Sequence, residues 1–413
     1  METLFKRTVF RSVIGSLLLF FLTPVVWGQV PDRRKDQFPS EFSYLIFPAP
    51  YSLPGIGSGL LMLGVIGNAL DTPTDFYGYK LFGEVSGTGL GVMEMPLGTN
   101  HLLLQLGKED ISRAQVNQYT TRGMQTHKED YNLLDASDIH SRYGTLSLNL
   151  FDRRVEFLYD WSKFRARADA IRDYKGNLIR NIDARMENKG SSASLVLDLT
   201  DDNYDPIKGV RLMFRRGLPE SRKNTYNPEF HVDEWVLNGY IPMGAHNTLA
   251  LDFFRSAAVV TATGELDPNV IGAVNGCPNG VPDCQPLINQ ALLNNKYGTA
   301  RSLGGRDRLR AYPDGRFQGA QAEYIGIEFR WNYSQEVTPF NYWIWKDTRT
   351  GLQMAFIAEA GTVAETPDQL WKESRKDAGV GFRMVTSSGA VYRADLLWGD
   401  EGFAPTIIVN YPW

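Results

Sequence analysis

Beyond residue 28 the chain contains no apolar run approaching the roughly 20 residues that a membrane-spanning helix needs. Entry into a bilayer would therefore have to be made by strands. Helical patterning is missing as well, since no stretch sustains a 3.6-residue apolar period. Cysteine is nearly absent. Cys277 and Cys284 are the only two, and with no histidine beside them they do not make a zinc site. The five histidines, His101, His127, His140, His231 and His246, stand in no recognisable nucleophile context. Adjacent acids such as Asp233 and Glu234 would point to opposite sides of a strand and cannot share a substrate there. The chain is therefore not expected to be an enzyme, and no metal or cofactor is expected. Positive charge is not in excess either: a net charge of −4 argues against nucleic acid as a partner.

The N-terminus sets the compartment. Lys6, Arg7 and Arg11 precede an apolar run centred on residues 17–22, and Val26, Trp27 and Gly28 supply a cleavage context. Residues 1–28 read as a secretory signal peptide cut after Gly28; as an anchor helix the run is short and broken by Pro24. No Cys stands at the cleavage point, so a lipoprotein is not expected. Residues 29–43 form a short charged linker in the periplasm, and the remainder, 44–413, is long enough for one large barrel. In an exported chain Cys277 and Cys284 suit a disulfide that closes the loop NGCPNGVPDCQP, with two free thiols as the alternative.

Alternation dominates the chain from Tyr44 onward. In Tyr324 to Trp331, Ile325, Ile327, Phe329 and Trp331 share one face, opposite Tyr324, Gly326, Glu328 and Arg330. Leu249, Leu251 and Phe253 alternate with Thr248, Ala250 and Asp252; Tyr392, Ala394, Leu396 and Trp398 oppose Arg393 and Asp395. Leu146, Leu148 and Leu150 lead through a turn at Asp152-Arg153 to Val155, Phe157, Tyr159 and Trp161, a hairpin with one apolar face. So many charges on inner faces would cost several kcal/mol each in a dry core. A water-filled lumen would remove that cost and leave the apolar faces to lipid. Two stretches do not read as strands, Ser112 to Tyr143 and Ala257 to Thr299, and are expected to be long extracellular loops, the second carrying the cysteines.

Four ordered motifs carry a family resemblance. LGGRDRLRAYPDGRFQG, with Gly304, Gly305, Leu309, Arg310, Ala311 and Tyr312, resembles the loop motif of the BamA/TamA superfamily of outer-membrane barrels, the bacterial surface antigens, with Ala311 standing where the family has Gly. DLTDDNYDPIKGVRLMF resembles the family's acidic turn, keeping Asp198, Asp201, Pro206 and Gly209. MAFIAEAGTV and GVGFRMVTSSGAVYRADLLWG are similar to its later strands, and YSLPGIGSGLLMLG to its first. The ending FAPTIIVNYPW puts Ile407, Val409, Tyr411 and Trp413 on one face, like the assembly signal of outer-membrane barrels.

The resemblance implies an all-β fold: a single transmembrane antiparallel barrel of about 16 strands with long extracellular loops, integral to the bacterial outer membrane; the POTRA domains that the family normally carries are not expected, since residues 29–43 leave no room for one. It implies that Arg310 pins the loop inside the lumen to an acidic strand residue, Glu359 first, with Glu328 and Asp395 as rivals. It implies insertion or translocation of protein or lipid; a passive pore or structural surface antigen is the alternative. The partners implied are outer-membrane lipid, the barrel assembly machinery for the chain's own insertion, and possible unfolded outer-membrane or secreted clients with a separate periplasmic receptor. The acids Asp198, Asp201, Asp202 and Asp205 lack the pattern of a calcium loop, and a turn accounts for them. Gly55, Gly57 and Gly59 either mark a bend or weaken the pairing of first and last strands.

Overall fold

The alternating segments become strands that close on themselves. The computed structural model describes residues 42–409 apart from 204, 219–224, 245–246, 275–278, 281–283, 335–339, 343–344, 349 and 387–390. The signal peptide, Cys277, Tyr411 and Trp413 lie outside the described residues.

Eight strands run from β1 to β8: β1 Ser43–Leu53, β2 Gly57–Gly67, β3 Asp75–Gly83, β4 Ser86–Pro96, β5 Leu102–Tyr119, β6 Tyr131–Leu150, β7 Val155–Arg172 and β8 Leu178–Asp198. They are followed by β9 Gly209–Leu218, β10 Glu229–Met243, β11 Asn247–Ala262 and β12 Gln321–Asn332. After a small hairpin, β13 Phe340–Tyr342 and β14 Trp345–Thr348, come β15 Thr350–Ala364, β16 Arg375–Thr386, β17 Val391–Gly399 and β18 Gly402–Val409. Each pairs antiparallel with its chain neighbour, except that β12 pairs directly with β15, and β14 of the hairpin pairs with β1 at Tyr44 and Leu45. β18 then returns to β1, giving a closed ring of 16 strands.

The barrel is turned inside out relative to a water-soluble protein. Ile325, Ile327, Trp331, Phe356, Phe382, Leu396 and Trp398 are exposed, while Glu328, Arg330, Arg383, Arg393 and Asp395 on the alternate positions are buried. A pleated strand can present both characters because successive side chains leave opposite faces. An outward apolar belt around a polar interior is the arrangement of a strand protein in lipid.

Three expectations need correcting. Ser112 to Tyr143 is mostly strand, because β5 and β6 continue for 18 and 20 residues, well past the ~9–11 needed to cross a bilayer. Their upper parts have both faces wet, so no core imposes alternation and the sequence reads as loop. Ala257–Ala262 likewise extends β11, and the connection after it folds into two helices, α1 Pro268–Val274 and α2 Gln285–Tyr297. Finally, the lumen beside β12 and β15–β17 is dry. Arg310, Glu328, Arg330, Arg383, Arg393 and Asp395 are all at most 1% exposed, so ion pairing offsets their desolvation there in place of water.

Gly55 and Gly57 have positive φ, 83° and 145°, and form the β1–β2 turn. At Gly59 a Cβ would sit 2.0 Å from the Phe82 carbonyl oxygen. Gly55 and Gly57 turn β1 into β2 and Gly59 lets β2 approach β3, so the bend is the reading the geometry supports.

Candidate functional site: the loop inside the barrel

The β11–β12 connection does not stay outside. Its second half turns down into the lumen as a hairpin whose stem is the Leu303–Phe317 bridge, bonded both ways at 2.9 and 3.0 Å. Two glycines make the turn possible. Gly304 and Gly305 have φ of 102° and 101°, and a Cβ on Gly304 would fall 2.2 Å from the Pro313 carbonyl oxygen. Their amides bond the carbonyls of Arg308 and Tyr312 at 3.1 and 2.8 Å. The left-handed position in the tip is Leu309, at φ 52°, and not Ala311. Alanine is therefore accommodated where the resembling family has glycine.

Apolar side chains seat the hairpin. Leu303, Leu309, Tyr312 and Phe317 are fully buried and cluster with Phe254, Tyr324, Ile357 and Leu397 of the wall and Met124 of the β5–β6 loop. Small wall residues receive them: a Cβ on Gly361 would lie 2.8 Å from Leu303 and 3.0 Å from Leu309. The Tyr312 ring covers Gly399 in the same way, and its hydroxyl donates to the Lys376 carbonyl at 2.9 Å.

Arg310 lies at the centre of the contact. Its Nε donates to Glu359 at 2.7 Å, one terminal nitrogen to Asp395 at 2.6 Å and the other to Glu328 at 2.9 Å. Its backbone amide bonds the second Glu359 oxygen at 2.9 Å. All three acids named from sequence are thus brought to one guanidinium, each from a different strand: β12, β15 and β17. A planar fork with five N–H donors can serve several carboxylates in a fixed geometry, and an ammonium cannot reproduce it.

Sequence reasoning missed the rest of the network. Asp377 on β16 accepts the Ala311 amide at 2.9 Å. Arg383 and Arg330 also donate to Glu328, at 2.7 Å and 3.1 Å, and Arg393 donates to Asp395 at 2.7 Å and to the Arg306 carbonyl. Four guanidiniums thus meet three carboxylates in a dry compartment, while Asp377 takes a backbone amide of the loop. The period-2 face that carries Arg383 also carries Asp377, so alternation on β16 was the available signal. Two further anchors had none, because their partners are distant in sequence. Arg316 grips Glu401 through both oxygens and the Thr126 carbonyl, and Arg122 grips Glu365 with two bonds of 2.8 Å.

The acidic turn lies at the other end of the barrel. Asp198 accepts from the Thr200 amide at 2.9 Å and from Arg211 at 2.7 Å, and Asp201 accepts the amides of Ile207 and Lys208 at 3.0 Å each. Gly209 has φ 113°, with the Leu199 carbonyl 2.4 Å from where a Cβ would stand, and Pro206 is buried inside the turn. These residues order the β8–β9 connection. Cys284 is buried with Ile271 and Ile288 between α1 and α2; its pairing with Cys277 falls outside the described residues.

No protein-family model and no curated protein matches the chain. Solved structures do. BamA from Haemophilus ducreyi lacking POTRA domains 1–3 is similar at 12% identity over 90% of this chain and 70% of that one, with a TM-score of 0.47. CdiB from Escherichia coli is similar at 13% identity over 89% of this chain, with a TM-score of 0.50, and this chain spans 61% of its length. At such identity the likeness is one of fold. It is the fold implied by the motifs from Asp198 onward: a closed 16-strand antiparallel barrel of the outer-membrane type.

Proposed function

We propose that this barrel assists the insertion or translocation of protein or lipid at the outer membrane, using the β1–β18 seam as the place where a client strand or lipid passes sideways. The observation that carries this reading is proline on both strands of that seam. Ser52 stands opposite Ile407 across it, and β14 also pairs with β1, at Tyr44 and Leu45. Pro48 and Pro50 on β1 and Pro405 on β18 lack the N–H that a ladder needs, and proline belongs on strand edges. The Pro50 carbonyl accepts from the Tyr392 hydroxyl at 3.3 Å, so the Pro50 backbone faces the seam and brings no donor to it.

The loop in the lumen is tied to the same edge. The Asp314 amide donates to the Pro54 carbonyl at 2.8 Å, joining the Arg310 hairpin to the turn that ends β1. A loop held by three strands on one side and touching the gate strand on the other can hold the barrel in shape while the seam parts. The buried hairpin and its charge network also weigh against a freely conducting pore. Clients would be unfolded outer-membrane or secreted proteins delivered by a separate periplasmic receptor, with no covalent chemistry assigned to the barrel. The test is the folding rate of a small unrelated barrel into liposomes containing this protein, compared with liposomes holding an ordinary porin at equal density. Acceleration specific to this chain supports the reading; equal rates with folded protein would remove it.

A further inference from the structure

On the outer surface of β5–β8 the side chains change character at one level. Reading upward from the turn end, β5 presents Leu102, Leu104 and Leu106, and β6 presents Leu148, Leu146 and Gly144. β7 presents Phe157, Tyr159 and Trp161, and β8 presents Leu195, Ala193 and Ser191. The next outward residue on every one of these strands is a cation: Lys108, Arg142, Lys163 and Lys189. The register sets them side by side, Lys108 opposite Arg142, Arg142 opposite Lys163, and Lys163 opposite Lys189.

Like charges directly opposite one another destabilise a sheet. Three such pairs in succession call for negative charge, and the protein supplies only part of it. In the row above, Asp110 pairs with Lys108 and His140, and Glu187 with Lys163 and Arg165. Arg142 and Lys189 have no acidic partner among the described residues.

The four cations border an open concavity of about 510 Å³. Its floor is apolar: the Trp161 indole lies across Gly144, where a Cβ would fall 2.2 Å from the ring and 2.9 Å from Leu106. That floor continues the outward apolar band below, and the cations stand above it. Three strand spacings of about 4.8 Å make the row ~14 Å long, wider than a single phosphate. We propose that this face binds an anionic lipid whose headgroup carries more than one phosphate, in the leaflet at the loop end of the barrel. The phosphates bridge Arg142, Lys163 and Lys189, and an acyl chain lies along Leu106 and Trp161. The inference rests on the placement of the barrel in a bilayer and is independent of any client at the seam.

The test is native mass spectrometry of the full chain, folded in a neutral maltoside detergent and titrated with diphosphoryl lipid A or with its fully dephosphorylated form. Arg142→Gln/Lys189→Gln should weaken diphosphoryl lipid A binding about tenfold or more, ~1.4 kcal/mol or more, and leave the dephosphorylated lipid unaffected. Arg167→Gln/Arg185→Gln removes the same charge two outward positions above Lys163 on β7 and Lys189 on β8, and should leave binding unchanged. Charge-preserving Arg142→Lys/Lys189→Arg should retain it, and heat-modifiable migration checks that each variant is folded; if the glutamine pair fails that check, Arg142→Gln alone is read the same way. Unchanged affinity in the Arg142→Gln/Lys189→Gln variant would overturn the proposal, as would an equal loss in the higher pair. Full competition by millimolar inorganic phosphate would also overturn it, marking the row as a free-anion site.

Discussion

Replacing Arg310 by alanine should loosen the loop from the wall without dissolving the barrel. The magnitude depends on what each acid keeps. Glu328 retains Arg383 and Arg330, and Asp395 retains Arg393. Glu359 loses its guanidinium and keeps the Tyr324 hydroxyl, at 2.7 Å, and the amide of residue 310. Summing three charged hydrogen bonds at roughly 1.5–3 kcal/mol each would overcount, because two of the three acids remain paired. The cost is that of one buried carboxylate left without its cation, about 3–5 kcal/mol. Arg310→Lys should recover only part of it, since one ammonium cannot reach three carboxylates from three strands. Two assays separate the effect from general damage. Denaturant unfolding in liposomes measures the loss of stability, and trypsin added from outside measures release of the loop at Arg306, Arg308 and Arg316. The wild type should resist cleavage at Arg316, whose side chain is 0% exposed, and the variant should be cut there. A variant within about 0.5 kcal/mol of wild type and equally resistant would refute the reasoning, because so small a change is what an unremarkable surface site gives.

Other contacts make their own demands. Gly304→Ala forces a Cβ against the Pro313 carbonyl at a φ of 102°, and should cost about 1–3 kcal/mol and increase the same tryptic cleavage; unchanged protection would mean the turn has another conformation. Asp201→Ala removes the acceptor of two amides in the β8–β9 turn and should lower unfolding free energy by about 1–2 kcal/mol, read in the same denaturant titration, with no effect on the lumen loop. A Cys277–Cys284 bridge requires that alkylating reagents add no mass until a reductant is supplied; labelling of the untreated protein would leave the thiols free.

Much of the fold was legible because lipid on one side and a polar interior on the other impose strict alternation. β11, β12, β15, β16 and β17 all carry it, and their faces lie as the alternation assigns them. The upper halves of β5–β8 were illegible for the same reason in reverse: with water on both faces, Ser112 to Tyr143 has no pattern to read. α2 also left no mark, since of its apolar residues only Ile288 is fully buried. At the candidate site, Arg310 and its three acids could be named from motif and face, and the structure brings all of them into contact. Arg122, Arg316 and Met124 could not be named, because their partners Glu365, Glu401 and Val363 come from remote strands and loops, and only the closed barrel brings them near.

The barrel can act in the proposed way only if the β1–β18 seam parts. Ser52 and Ile407 stand directly opposite across it, so Ser52→Cys/Ile407→Cys can be oxidised to lock the seam and reduced to free it. The measurement is the rate at which an unrelated barrel client folds into liposomes carrying this variant, before and after reduction. The rate should lie near that of porin-containing liposomes when the variant is oxidised, and the accelerated rate should return on reduction. Equal acceleration in both states, with the cross-link verified by mass, would contradict a role for seam opening.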